Sequence, residues 1–375
     1  MGRAAVAVVG IAALTLPLAA CATIAEVSPL VHAGCPADIR IQTDDLPNAD
    51  WGFLYSLLDR DAVSIRFVGR EVSGPLVIDG EDTGIRLTIL SGDPADGVSA
   101  SVELHEDESL LLGAVDSDVA LLNVVQYPTV AVFAPTARDT RIIYWSADTY
   151  PGVRNIESLG DTLAPDGLAL APIVGVPGDP LRDYLVGRGT LGADQVRPGD
   201  DPSVESYLAG GGVAAQAGDV LVDPYLLGLP EEAPPIGYQL VDDAGYPRDR
   251  LLSARPQAIV RHADCFRVLV PVLQQALVDY LRDPEPTDEL LVEVAAQFGH
   301  PELDAGLIAA AHEILADRRF VANGRDGAVG DIDYGRLRDL RTGLASAWRQ
   351  LELVFPRVEV DDIVTNEFID RSIGL

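Results

Sequence analysis

Short apolar runs that alternate with helix-like stretches limit this chain to few folds. A first strand is predicted at 38–42, followed by a polar loop at 44–50 and a helix over 51–58. Strands that alternate with helices form mostly parallel sheets with both faces covered, so this order predicts an α/β fold. Gly, Pro and Asp turn signals separate the further predicted strands, at 64–68, 85–90, 119–122, 129–133, 141–145 and 167–171.

The last third of the chain has a different character. Beyond Arg267, apolar residues recur at helical spacing, which predicts helices over 268–281, 287–298, 305–316 and 334–355. With 375 residues, of which 48% are hydrophobic, the chain can bury a substantial core. It is long enough for two domains, or for one domain with a deep cleft.

The charged residues exclude several functions. The chain contains no Lys, so its 27 basic residues are all Arg and stand against 58 acidic residues, for a net charge of −31. Without Lys there is no Walker-type phosphate loop, no kinase Lys and no Schiff base to pyridoxal phosphate. The acids are spread along the chain, and the longest Arg-rich run is 248–255, so we expect no nucleic-acid partner.

The amino terminus is typical of a bacterial export signal. One charge, Arg3, precedes an apolar run at 4–16 that is too short for a comfortable membrane span. The tetrad ending at Cys21 resembles a lipobox, whose Cys becomes lipid-modified. We therefore predict a signal peptide at 1–20, lipidation at Cys21, a spacer at 21–36 and anchoring by lipid alone at the outer face of the cell membrane. The alternative is a plain signal peptide followed by a chance Cys.

Two further cysteines, Cys35 and Cys265, remain if Cys21 is acylated. An extracytoplasmic compartment permits disulfides, so we expect these two to pair. The alternative is two buried free thiols.

A search for catalytic or metal-binding patterns finds none. The five histidines lack metal-ligand spacing, and no Gly-x-Ser-x-Gly elbow is present. The segment 331–335 begins like a calcium loop, but Thr342 stands at its twelfth position, where a bidentate carboxylate is needed. We therefore predict no catalytic residue, no metal, no cofactor and no enzymatic activity.

Aromatic and polar residues gather in loops where predicted strands end. Open α/β sheets bind ligands at the carboxyl ends of their strands, so these loops are expected to meet at one cleft. Each residue taken singly is also typical of packing between lobes. The predicted ligand-binding residues are Asn48, Asp50, Trp51, Tyr144, Trp145, Gly178, Asp179, Asp223, Tyr225 and Tyr246.

Several segments together resemble the type II periplasmic-binding class, the solute-binding components of ABC importers that include nitrate, sulfonate and thiamine-pyrimidine-precursor binders. The closing segment is also similar to that of an actinobacterial lipoprotein group of this class. The aromatic-rich segment that usually follows the first helix in the class is absent, and 58–63 stands in its place. The segments that carry the resemblance are 46–51, 127–133, 158–160, 175–178, 206–212, 223–225 and 362–369.

The resemblance implies two α/β lobes joined by two strand crossings, near 128–134 and 235–241, with a helical C-terminal part. Lobe 1 would then comprise 37–130 and 238–375, and lobe 2 would comprise 131–237. A monomer would trap a small solute by hinge closure and present it to ABC permease subunits. A sensory or scaffold lipoprotein on the same fold is the alternative.

The expected cleft residues also indicate a class of solute. Trp51, Trp145, Tyr225 and Tyr246 would offer flat faces, and the aspartates among the predicted ligand-binding residues would offer carboxylates. Together they favour a neutral or cationic heteroaromatic solute, such as a pyrimidine or a related vitamin precursor, over an anion.

Overall fold

The computed structural model describes Met1 and residues 28–44, 46–92, 98–170, 178–198, 203–230 and 233–375. Cys21 and the predicted signal peptide beyond Met1 lie outside the described residues. The strands are β1 (Asp38–Gln42), β2 (Ser64–Arg66), β3 (Glu71–Ile78), β4 (Glu81–Leu90), β5 (Leu110–Asp116), β6 (Val130–Phe133), β7 (Arg141–Ser146), β8 (Leu168–Leu170), β9 (Val196–Pro198), β10 (Ala215–Asp219), β11 (Ile236–Leu240) and β12 (Arg250–Ala254).

Short helices dominate up to β12, and longer helices follow it, as the change in sequence character predicted. The helices are α1 (Pro29–His32), α2 (Gly52–Tyr55), α3 (Ala100–Glu106), α4 (Ser117–Asn123), α5 (Ile156–Gly160), α6 (Pro180–Gly187), α7 (Val204–Ala209), α8 (Asp223–Leu227), α9 (Pro256–Arg261), α10 (Ala263–Arg282), α11 (Glu285–Gln297), α12 (Ala305–Asp317) and α13 (Tyr334–Gln350).

The described strands form two sheets. The first has the order β2-β3-β4-β1-β5-β12-β6, with β4, β1 and β5 parallel and β12 antiparallel to both of its neighbours. The second has the order β11-β7-β10-β8-β9, in which β10, β8 and β9 are parallel and β7 runs against β10 and β11. We call the first sheet with its helices lobe 1 and the second sheet with its helices lobe 2.

The chain passes between the two sheets twice, at 134–140 and at 241–249. We call these segments the first and second crossings. Both lie somewhat later in the chain than the predicted crossings, because β6 still pairs within the first sheet and β11 within the second. The predicted α/β fold with two lobes and two crossings is confirmed.

Several strands of the structure differ from the sequence-based assignments, and β5, β9, β10 and β12 are among those that the sequence did not predict. The strand predicted at 119–122 is wrong, because these residues lie in α4, which starts directly after Asp116. The apolar run just before α4 forms the strand β5, which pairs with β1. The strand β3, which forms a hairpin with β4, was not predicted, since Gly74 and Pro75 interrupt its pattern.

The apolar core extends through both lobes. One cluster joins Ile39 and Leu252 of the first sheet to Tyr144 and Leu240 of the second, together with helices α2, α10, α11 and α12. A second cluster covers the other faces of both sheets and includes α3, α4, α6 and α13. The lobes therefore share buried apolar surface, which stabilises their arrangement relative to each other.

Helix α13 contacts both lobes. It packs along α6 of lobe 2 and also touches α4 of lobe 1. A Cβ on Gly187 of α6 would lie 2.5 Å from the carbonyl oxygen of Ala347, so this approach requires glycine. Tyr184 of α6 packs on Gly343, and its hydroxyl donates to the Gly245 carbonyl in the second crossing. Helix α13 lies within 238–375, which was predicted to belong to lobe 1, and it therefore also packs on lobe 2.

The predicted disulfide is present. Cys35, which follows α1, is bonded to Cys265 of α10 across a sequence separation of 230 residues. It ties the amino-terminal segment to the longest described helix, and Cys265 is fully buried. In the chain-entropy model, closing a loop of this length constrains the unfolded chain by about 5 kcal/mol, an upper estimate.

Replacing both Cys35 and Cys265 with Ala should therefore lower the free energy of unfolding by about 2–5 kcal/mol. Urea denaturation of the variant and of the oxidised wild type measures the difference. Adding reductant should destabilise the wild type and leave the variant unchanged. Equal stability of the variant and the oxidised protein would contradict a stabilising bridge.

Candidate functional site

Acidic side chains lie where the two sheets meet. Asp44 follows β1, Asp116 ends β5 and Asp219 ends β10, so the carboxyl ends of parallel strands bring them to one region. Arg250 begins β12 and lies 3.0 Å from Asp44 and 3.9 Å from Asp219, which connects the two lobes. We call this region the junction site, defined by Asp44, Asp50, Asp116, Asp118, Asp139, Arg141, Asp179, Asp219, Asp223, Arg248 and Arg250.

Arg248 is the central buried charge of the junction site. Its Nε and Nη2 donate to Asp139 at 2.9 and 2.8 Å, and its Nη1 donates to Asp116. Arg248 lies in the second crossing and Asp139 in the first, so one guanidinium links both crossings to the end of β5. Burial acts to raise the pKa of Asp139, but Arg248 outweighs it and the pKa lies below its ordinary value.

Arg250 holds the loop that follows β1. It donates to Asp50 and, at 3.0 Å, to Asp44. The indole Nε1 of Trp51 donates to the same Asp44 at 3.1 Å, and the Arg250 guanidinium lies 6.0 Å from the Trp51 ring. Asn48 caps the turn that follows it with its side-chain oxygen. Asn48, Asp50 and Trp51 therefore come together, and the side chain of each forms a hydrogen bond within the protein.

Tyr246 also reaches the junction site. Its hydroxyl donates to Oδ2 of Asp118 at 2.6 Å, and both residues are fully buried. The Tyr246 ring packs edge-on against Tyr184 of α6, with centroids 4.9 Å apart. Tyr246 thus joins the second crossing to both lobes.

Asp223 and Tyr144 are neighbours in lobe 2. Asp223 begins α8, and its Oδ2 accepts the backbone N–H of Asp219 at 2.6 Å. Burial, reinforced by the Asp219 carboxylate, raises the pKa of Asp223 to about 7. The Tyr144 ring is fully buried and packs edge-on against Tyr207 at 4.9 Å between centroids.

Asp179 caps α6. Its Oδ1 accepts the backbone N–H of Arg182 at 2.9 Å, and burial raises its pKa above the ordinary value. Nearby charges that act on Asp179 include Arg141 and Asp118, which places the start of α6 beside the junction site. Gly178 precedes it with φ +79°, a backbone conformation that favours glycine.

Trp145 and Tyr225 lie away from the junction site. Trp145 is 1% exposed and belongs to the apolar cluster that includes Ile156. Successive side chains on a strand point to opposite faces, so Trp145 of β7 faces away from Tyr144. Tyr225 packs between lobes instead, since a Cβ on Gly306 of α12 would lie 2.2 Å from its hydroxyl oxygen.

Carboxylates outnumber guanidinium groups in the junction site. Arg248 and Arg250 are each bonded to two aspartates. Across the described ranges, Asp118, Asp179 and Asp223 form no ion pair, and burial raises the pKa of Asp116 to about 7 even beside Arg248. The raised pKa values of Asp116, Asp179 and Asp223 reduce the negative charge near neutral pH, but eight aspartates against three arginines still leave the site negative, which favours a cation over an anion.

Only part of this site follows from the sequence. Asp116 and Asp118 were missed because the strand was assigned to 119–122 and not to β5, so they were not at a predicted strand end. Arg248 and Arg250 lay in an Arg-rich run that was considered only for nucleic acid. The sequence Asp-Ser-Asp at 116–118 directly follows the apolar residues of β5. Because such residues start helices at strand ends, it could have placed Asp116 and Asp118 at the end of a strand.

No group of three or more His, Cys, Asp or Glu side chains arranged to hold a metal ion occurs among the described residues. In the same ranges, no helix combines the length and the apolar character that crossing a membrane requires.

Comparison with solved structures identifies the fold. The alkanesulfonate-binding protein SsuA from Xanthomonas axonopodis, bound to MOPS, matches with a TM-score of 0.53 and 15% identity, over 88% of this chain and 98% of that one. The aliphatic sulphonate binding protein SsuA from Escherichia coli matches with a TM-score of 0.54 and 13% identity, over 88% and 92%.

A Candida albicans protein that has the generic periplasmic binding protein fold matches with a TM-score of 0.52 and 8% identity, over 89% and 97%. No protein-family model matches the sequence, and no curated protein matches it significantly. The chain therefore has the periplasmic-binding-protein fold, as the resemblance implied.

The raised pKa of Asp223 predicts a pH-dependent stability. The folded value of about 7 lies above the ordinary value of about 4 for an unfolded Asp, so folding takes up a proton between these pH values. The resulting stabilisation is complete below about pH 4 and is lost as the pH rises through 7. From pH 5 to pH 8 the unfolding free energy of the wild type should therefore decrease. In Asp223→Asn this decrease should be smaller by about 1 kcal/mol or more.

Urea denaturation across this pH range measures the effect, with the exposed Asp317→Asn as the matched control. Parallel pH profiles for Asp223→Asn and the wild type would show that Asp223 titrates normally.

Proposed function

We propose that this chain is an extracytoplasmic solute-binding lipoprotein that delivers a small molecule to an ABC permease. The observation that carries the proposal is the junction site, a set of charged groups placed between two lobes at the carboxyl ends of their strands. Ligands of open α/β sheets bind at such positions. The periplasmic-binding-protein fold, and neighbours that bind sulfonates, support a binding role with no catalytic step.

The proposed solute is a small cation, and protonated heteroaromatic compounds such as vitamin precursors belong to this class. Asp179 and Asp219 are partly exposed at the junction site, while Trp51, Tyr144 and Tyr246 are buried. Recognition would therefore depend on carboxylates more than on stacking against aromatic faces. The same excess of carboxylates disfavours a sulfonate, the solute named for the SsuA neighbours.

Transport by this protein would use a change in lobe orientation. A solute that contacts both Asp179 of lobe 2 and Asp44 of lobe 1 favours the closed arrangement by the difference between its affinities for the closed and open forms. The permease would bind the closed form of the monomer. Acylation at Cys21 would keep the protein at the outer face of the membrane beside that permease.

A sensory or scaffold lipoprotein is the second candidate, and the position of α13 favours it. The helix packs on α6 through Gly187 and Ala347 while it also contacts α4 of the other lobe. Opening the lobes would break part of this packing. A protein whose lobes stay fixed would present a constant surface to another envelope protein.

A thermal-shift screen tests the binding proposal. Protonated amines, aminopyrimidines and thiamine are compared with the sulfonate MOPS, each at the same ionic strength. A cationic solute at about one hundred times its Kd should stabilise the protein by about 2.7 kcal/mol, and MOPS should have no effect. Small-angle scattering of the same samples should show a smaller radius with the cation.

Variants locate the site. Asp179→Asn removes one charge from the site. Because Asn also caps helices, the variant should keep the cap of α6 and lose little stability. It should weaken cation binding. Asp317→Asn, at the exposed end of α12, is the matched control. Stabilisation by MOPS would refute the cationic class, and an unchanged radius with every solute would support the scaffold candidate.

A further inference from the structure

A cavity lies outside the junction site. It has a volume of about 510 Å³ and is enclosed by the first crossing, by Asp249 of the second crossing, by residues 322–325 and 330–333, and by the start of α13. None of the residues that define the junction site lines it. We call it the hinge cavity, because both crossings contribute to its walls. Its volume falls within the range of small-molecule sites.

The walls of the hinge cavity are held by specific bonds. The backbone N–H of Ala134 donates to the Gly330 carbonyl at 2.9 Å, which attaches the first crossing to the segment before α13. Nε of Arg336 donates to Asp249 at 3.0 Å, which attaches the second crossing to α13. The cavity is therefore a built feature of the fold.

Three acidic and three basic side chains line this cavity: Asp249, Asp331, Asp333, Arg325, Arg336 and Arg338. Arg336 is paired with Asp249, Arg325 lies 3.4 Å from Asp333, and the Arg338 guanidinium lies 5.8 Å from the centre of the Tyr334 ring. In the part of the chain that the structure covers, the Asp331 carboxylate forms no ion pair. The carboxylate packs closely against Gly324, where a Cβ would lie 1.7 Å from Asp331 Oδ1.

The environment of Asp331 disfavours its negative charge. Burial, together with the Asp326 and Asp333 carboxylates, raises the pKa of Asp331 above its ordinary value. A cation with N–H donors would compensate a carboxylate that no protein group compensates. Thr136, which also lines the cavity, is 2% exposed, and its hydroxyl has no hydrogen-bond partner among the described residues.

The remaining walls are largely apolar. They include the methyl groups of three alanines, a buried isoleucine side chain and a tyrosine ring, which suit the hydrocarbon body of a ligand better than a hydrated metal ion. These residues are Ala134, Ala137, Ala322, Ile332 and Tyr334.

We propose that the hinge cavity binds a small organic amine, whose ammonium group contacts Asp331 and whose apolar body packs against the alanine and tyrosine walls. This site is separate from the solute site proposed above. Its walls come from both crossings and from α13, so an occupied cavity holds the two lobes in the arrangement seen here.

Calorimetric titration with phenethylamine tests the proposal. It is done at about pH 8, because there Asp331 is ionised and the amine is protonated. Saturable binding at one site is expected, and Asp331→Asn should weaken it about tenfold or more, as loss of a charge-assisted hydrogen bond requires. The neutral 2-phenylethanol and the anionic phenylacetate should bind correspondingly more weakly than the amine.

Ala137→Leu fills the cavity and should also weaken binding, while Asp317→Asn should leave it unchanged. Thermal denaturation shows that each variant is folded. Undiminished binding in Asp331→Asn, or no saturable binding to the wild type at millimolar concentration, would overturn the proposal. Binding that is lost in Asp179→Asn and kept in Asp331→Asn would assign the amine to the junction site and would equally overturn it.

Discussion

Arg248 occupies a position on which much of the two-lobed arrangement depends. A guanidinium with 4% of its side chain exposed is costly to bury unless its donors are paired. Asp139 pairs it from the first crossing and Asp116 from the end of β5, so three segments far apart in sequence must meet for this charge to be compensated. Removing either aspartate would leave part of the buried guanidinium without a hydrogen-bond partner, which couples the crossings to the core.

The same region is the basis for the proposed binding role, and it also limits motion between the lobes. Parallel strands direct Asp44, Asp116 and Asp219 to one place, and most of the cationic charge there is already used by Arg248 and Arg250. The carboxylates that remain are the basis for proposing a cationic solute. Meanwhile the shared apolar clusters and α13 bind the lobes together, so any opening must be compensated by contacts that a solute or a partner gains.

Similarity of fold and similarity of site are separate here. The SsuA neighbours share the architecture over almost the whole chain, at 13–15% identity. Fold does not determine the ligand, because the ligand is selected by the groups at the strand ends. In this chain those groups are mostly aspartates, which argues for a solute of the opposite charge.

The sequence by itself determined the α/β class, the helical C-terminal part and the pairing of the two cysteines, because periodicity, turn residues and cysteine number are local or countable properties. It also located Asp50, Asp179 and Asp223 in loops at strand ends. Only the tertiary structure decided that Trp145 belongs to the core, that Asp116 and Arg248 form the centre of the junction, and that α13 holds lobe 2. Those outcomes depend on which distant segments become neighbours, and no local pattern records the burial or pairing that results.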